Sequence, residues 1–168
     1  TLPYHHQSVT IRWARPEDVE GAKILADQAR STIGFVNRAV LQEAQQRGWL
    51  LIAIHYTAND DKYIGQVVGF ANFRIRQDHI CTLYEIAVAP NHQRQRTGTR
   101  LFQALIRRAH EERCTHVQLK CPSDLPANAF YAAAGCKHIG TEEGKRRALN
   151  IWHYPLAQET AFTLADAQ

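Results

Sequence analysis

The four cysteines (Cys81, Cys114, Cys121 and Cys136) form no C-x-x-C pair. With no signal peptide in view, they read as reduced thiols of a cytosolic protein. The nine histidines are dispersed without ligand spacing, His5 and His6 lying at the terminus, so no metal is expected. No apolar run reaches the roughly 18 residues that cross a bilayer, which argues against a membrane partner. There is no methionine, and the chain begins at Thr1, so targeting signals cannot be read at that end. A G-x-x-x-x-G-K-[ST] loop is missing, as are the three glycines of a dinucleotide fingerprint. Repeats and low-complexity stretches are absent. The net charge is +4 and the pI about 9.0, yet lysine and arginine are scattered, Lys145-Arg146-Arg147 being the densest cluster. A binding protein for duplex DNA or RNA shows a longer basic stripe, so nucleic acid is not the expected partner.

What is present is 168 residues at 45% hydrophobic content, enough for one domain with a sizeable core (about residues 8–154, with a tail over 155–168). Ser8–Ala14 alternates as a first strand. Arg15-Pro16-Glu17-Asp18 opens a helix whose apolar face is Val19, Ala22, Ile24, Leu25 and Ala29. Residues 30–36 break the chain, and Asn37–Arg47 forms a second helix stopped by Gly48. Strands follow over 49–56 and 63–76, joined by a turn at 58–62, with bulges expected at Gly65 and Gly69. After the central segment come a strand over 116–121, a short helix over 124–134, and strands over 137–141 and 148–154.

The central segment is Thr82–Leu105. Thr82–Val88 suits a buried strand, which Pro90 stops. Leu101, Leu105, Ile106 and Ala109 then recur at helical spacing. Between them lie Gln93, Arg94, Gln95, Arg96, Thr97, Gly98 and Thr99. A helix N-terminus offers unpaired N–H groups and the positive end of the macrodipole. With two arginines and a glycine that admits close approach, this strand–loop–helix reads as an anion site.

Val88-Ala-Pro90, two residues, then Gln93-x-x-Arg96-x-Gly98 and an amphipathic helix resemble the central motif of the GCN5-related N-acetyltransferases (GNAT). Downstream, Asn128-Ala-Phe-Tyr131-Ala-Ala-Ala-Gly135 is similar to that family's N-x-x-[FY]-Y-x-x-x-G helix. The resemblance covers roughly Ile64–Tyr154. It departs at two positions: Arg96 stands for the first loop glycine, and Cys136 for the aromatic after Gly135. Either Arg96 keeps negative φ in a rearranged loop, or it adopts left-handed geometry and its side chain compensates by pairing with phosphate.

The resemblance implies an α/β single-domain GNAT-like fold. Its mixed, mostly antiparallel sheet would have about seven strands, splayed between strands 4 and 5, with about four flanking helices. It implies acetyl-CoA as co-substrate, a small-molecule or protein amine as acceptor, no metal, and a homodimer as one available assembly. A polyanionic coenzyme also accounts for part of the basic excess. Residues 93–99 would hold its pyrophosphate, and the backbone of Ile86, Ala87 and Val88 its pantetheine arm, with Asn128 bonding the same arm. Acceptor specificity would lie near Ser31–Arg38.

Amine acetylation needs a base for the acceptor and an acid for the departing thiolate. Tyr131 is the candidate acid, since a phenol stays protonated at neutral pH; the alternative is a core aromatic. Glu85 is the only carboxylate within the fourth strand, and burial there raises a carboxyl's pKa. Strand alternation sets it opposite Thr82 and Tyr84, so a water relay from Glu85 and bulk solvent both stay open. Glu85 as the structural partner of an arginine is the plain reading. His79 and His92 titrate near neutrality but read as solvated, and Cys121 and Cys136 as small core residues. Two other functions stand beside this one. The chain could modify nucleic acid, given its basic cluster, or bind coenzyme without catalysis, given Arg96 and the unsettled base.

Overall fold

The computed structural model describes residues 9–157, so Ser8, the His5–His6 pair and the tail beyond Ala157 fall outside it. In chain order come β1 (Val9–Trp13), α1 (Asp18–Gln28), α2 (Arg30–Ile33), α3 (Arg38–Arg47), β2 (Leu50–Asn59), β3 (Lys62–Ile75) and β4 (Ile80–Val88). A 3-10 turn (Pro90–His92), α4 (Thr97–Glu111), β5 (His116–Pro122), α5 (Ala127–Ala133), β6 (Lys137–Glu143) and β7 (Ala148–Pro155) follow. The strands make one mixed seven-stranded sheet in the order β1-β2-β3-β4-β5-β7-β6. Among the described residues there are five α-helices rather than about four. The extra one is α2, a single turn where a break was expected.

The local signals explain most boundaries. Asn37 caps α3 by accepting from the Ala39 N–H at 2.9 Å, and Gly48, at φ 73°, stops it in left-handed geometry. Asp60 and Asp61 take φ 44° and 62°, so the β2–β3 hairpin turns on two residues and its strands run to Asn59 and Lys62.

The chain forms two compact units. The first comprises residues up to Arg74 together with Thr82–Leu105. Its core joins Val19, Leu25 and Ala26 of α1, Leu41 and Ala44 of α3, Leu50, Ile52 and Ile54 of β2, Phe70 of β3 and Ala87 of β4. Ile24, expected on the buried face of α1, is exposed, and Lys23 is buried in its place. Its Nζ donates to Asp27 Oδ1 at 2.7 Å and to the Val36 carbonyl at 2.8 Å, and lies 4.4 Å over the Phe35 ring. A buried ammonium survives because those partners replace water. Gly65 sits in register opposite Tyr56, with no bulge. The irregularity lies beside Gly69: Ala53 pairs with Gly69 and Ile54 with Val67, leaving Val68 as the extra residue. A Cβ on Gly69 would meet Ala53, the Ala87 carbonyl and Leu101 at 3.2 Å each, so this glycine lets α4 and β4 close on β3.

The second unit comprises Ile75–Cys81 and the chain from Ile106 onward. β5 and β7 pair from His116↔Pro155 to Pro122↔Leu149, and β6 pairs with β7. Val117, Leu119 and Cys121 alternate into its interior with Trp152, as the β5 sequence predicts.

Candidate functional site

Pro90 ends β4, and the chain turns through Pro90–His92 before Gln93 returns to extended geometry. The Gln93 amide donates to the Val88 carbonyl at 3.1 Å, folding the loop back on the strand end. Arg94 and Arg96 both take φ 63°. The open question over Arg96 is thereby settled in its backbone part: it holds the left-handed geometry that a glycine would hold. Such geometry costs a non-glycine residue about 1–2 kcal/mol. Arg96→Gly is therefore expected to be more stable than Arg96→Ala by about 1 kcal/mol in urea unfolding.

Thr97, Gly98 and Thr99, expected in the loop, form the first turn of α4 instead. The Arg100 N–H donates to the Arg96 carbonyl at 2.9 Å, so the N–H groups of 97–99 precede the first intrahelical donor. Thr97 is buried, Gly98 half-buried, and Arg94, Gln95 and Arg96 exposed. The first turn carries no acidic residue. Arg100 points elsewhere, donating to the Val9 carbonyl at 2.7 Å. Ordered donors, the positive helix end and two cationic side chains are together a setting that can accept an anion.

Along β4, Cys81, Leu83 and Ala87 are buried, and Glu85 shares their alternation with its side chain half-buried; Ile86 and Val88 are also half-buried. Glu85 Oε2 accepts from Asn72 Nδ2 at 2.6 Å. Burial raises the Glu85 pKa above the usual carboxylate range, while the Asn72 bond and the Arg74 charge hold it back. Arg74 itself pairs with Glu43 at 3.6 Å and stands 5.7 Å over the exposed ring of Tyr84.

In the second unit, Tyr131 is buried on α5, its ring edge-on to Phe130 at 5.3 Å. Burial first, then the Cys121 and Cys136 thiols, push its phenol pKa up, so it carries its proton at neutral pH. Burial also raises both thiols, Cys136 to about 11, which leaves them protonated and unreactive. Gly135, at φ 97°, ends the helix, where a Cβ would touch the Tyr154 ring at 3.4 Å. Asn128, expected to bond a coenzyme arm, spends its amide inside the protein. Its Nδ2 donates to the Pro122 and Leu125 carbonyls at 2.8 and 2.9 Å. Its Oδ1 accepts from Asn150 Nδ2 at 3.1 Å and Trp152 Nε1 at 2.9 Å.

His79 sits at φ 62° in the β3–β4 turn, where its carbonyl accepts from Thr115. His92 stands 4.9 Å from His55, and burial and that neighbour lower its pKa. Neither Asn72 nor His55 was foreseen. The one available hint was an asparagine inside the apolar run Val67–Phe73. Among the described residues, no three His, Cys, Asp or Glu side chains cluster as metal ligands, and no helix is long and apolar enough to cross a membrane.

The model of the acetyltransferase (GNAT) family matches residues 22–136. Among solved structures, Ard1 from Thermoplasma volcanium superposes with a TM-score of 0.74 at 17% identity, covering 89% of this chain and 99% of that one. The ribosomal-protein-S18-alanine N-acetyltransferase from Escherichia coli gives 0.71 at 20%, covering 93% and 100%. The putative acetyltransferase yncA from Salmonella typhimurium, solved with acetyl-CoA, gives 0.71 at 19%, covering 94% and 99%. At these identities the likeness is one of fold.

Proposed function

The chain belongs to the acetyltransferase (GNAT) family, and from that premise we propose that it transfers an acetyl group from acetyl-CoA to a primary amine by direct attack in a ternary complex. The observation that carries this reading is the start of α4: two left-handed arginines, an acid-free first turn and half-buried Gly98. Residues Gln93–Thr99 take the pyrophosphate, and the backbone of Ile86, Ala87 and Val88 takes the pantetheine arm. The coenzyme supplies the activated acyl carbon.

The chain's own residues handle the protons. Glu85, with its raised pKa, takes a proton from the acceptor ammonium, directly or through one water. The freed nitrogen lone pair forms the N–C bond as the C–S bond breaks. Tyr131 gives its phenolic proton to the departing thiolate. The phenolate recovers a proton from solvent, to which the acylated nitrogen has released its own, and Glu85 returns its proton to solvent, so one proton is released in each turnover. Asn128 contributes by holding α5, and so Tyr131, in place.

Thiol release from acetyl-CoA against a panel of amines tests the proposal. The panel includes small amines and a peptide with N-terminal alanine, the residue that the E. coli neighbour is named for. Coenzyme A should also raise the melting temperature, because a ligand of the native state stabilises it by mass action. Gly98→Val should diminish that shift by crowding the phosphate approach; an undiminished shift in a folded variant removes the loop from the site. A thermal shift with no thiol release from any amine would mean coenzyme binding without catalysis.

A further inference from the structure

Asn72 is 1% exposed, near the C-terminal end of β3 opposite Leu50, with Phe70 of the core on the same strand face. A leucine would fill such a place without a polar group to satisfy. Asn72 instead makes one bond, Nδ2 to Glu85 Oε2 at 2.6 Å, short even for a charged acceptor. Its Oδ1 is buried with no partner among the described residues. Leaving an amide oxygen unpaired in the interior is costly, which singles the residue out as serving something other than packing.

The geometry points to Asn72 as the positioning residue for Glu85, an amide that serves the carboxyl in both of its protonation states. With Glu85 ionised, Nδ2–H donates to Oε2, as the structure has it. With Glu85 protonated, a half-turn of the amide brings the orphan Oδ1 to accept the new O–H. A lysine or arginine in this position would serve the ionised form alone. The charged and titratable groups around the pair are Arg74 on β3, Tyr84 on β4, and Glu43 and Arg47 on α3. Glu43 engages Arg47 at 3.3 Å as well as Arg74 at 3.6 Å. Arg74 pairs with Glu43 and reaches Glu85 by its charge, and Asn72, bonded directly to the carboxyl, is the group that fixes its orientation. This inference rests on the reading of Glu85 as the base.

The test follows the Glu85 carboxyl carbon by 13C NMR across pH, assigned with Glu85→Gln, beside the pH profile of kcat/KM. The bond to the charged carboxylate is the stronger of the two, so losing both should move the Glu85 midpoint up by about one pH unit in Asn72→Leu. The acid limb of kcat/KM should move with it, while the KM for acetyl-CoA stays. Asn72→Asp, of equal size, sets two carboxyls against each other and should move the midpoint up further; it decides the matter if the leucine variant does not fold. A midpoint unmoved in a folded variant overturns the inference and leaves Asn72 as core filler. A midpoint that moves while the kcat/KM profile stays supports the Asn72–Glu85 pairing and removes Glu85 as base.

Discussion

Tyr131→Phe is expected to lower kcat by about 10²–10⁴-fold, the usual worth of general acid catalysis, with coenzyme affinity and melting temperature nearly unchanged. The substitution keeps the ring packed edge-on to Phe130 and removes only the hydroxyl. Burial raises the phenol's pKa, so Tyr131 stays protonated throughout the physiological range and adds no alkaline limb of its own below the ordinary phenol value near 10. The same dry surroundings favour protonation of the departing thiolate over its release as an anion. Single-turnover rates, where chemistry limits, are the measurement. A kcat within about twofold of the parent means that water or another group supplies the proton. A large stability loss accompanying the activity loss would mark Tyr131 as a core aromatic.

The parts of this architecture that local chemistry dictates could be read directly from the chain. Asn37 and Gly48 bracket α3 because one side-chain oxygen and one left-handed residue suffice for the two ends. Pro90 ends β4 for want of a donor, and the paired aspartates turn the β2–β3 hairpin. The amphipathic helix after Pro90 was legible from its apolar spacing, though its first turn begins at Thr97, inside the span expected to be loop. What escaped depends on neighbours distant in sequence. Lys23 counts as a surface residue until Asp27, Val36 and Phe35 surround it. Ile24 fits the apolar face of α1 on spacing, yet the helix is rotated to bury Lys23. Asn72 meets Glu85 only through strand register, thirteen residues away. Asn128 was assigned outward on motif alone, because nothing local reveals that Asn150 and Trp152 of β7 arrive at its oxygen.

Asn128→Ala is the second large effect expected, and here stability should lead. The substitution removes one donor from the Pro122 and Leu125 carbonyls, which keep the Leu125 and Asn128 backbone N–H groups, and removes the acceptor from two donors, on Asn150 and Trp152. Each buried group left unpaired costs about 1–3 kcal/mol. Asn128 is half-buried, so water recovers part of this, and the net loss should be about 2–4 kcal/mol in urea unfolding. Asn128→Asp separates the two halves of the network. It keeps acceptors for Trp152 and Asn150 but turns a carboxylate toward two carbonyls, which raises its folded pKa above the unfolded value near 3.9. Its protonated form, which donates to one carbonyl, is then the favoured one in the native state. The variant should therefore approach the parent's stability below the unfolded pKa and fall behind as pH rises through the folded one. Since α5 carries Tyr131 one turn further on, kcat should fall together with stability in Asn128→Ala, whereas Tyr131→Phe lowers kcat alone. A folded, equally stable Asn128→Ala that has lost coenzyme affinity would show the amide acting on the pantetheine arm instead of holding the helix.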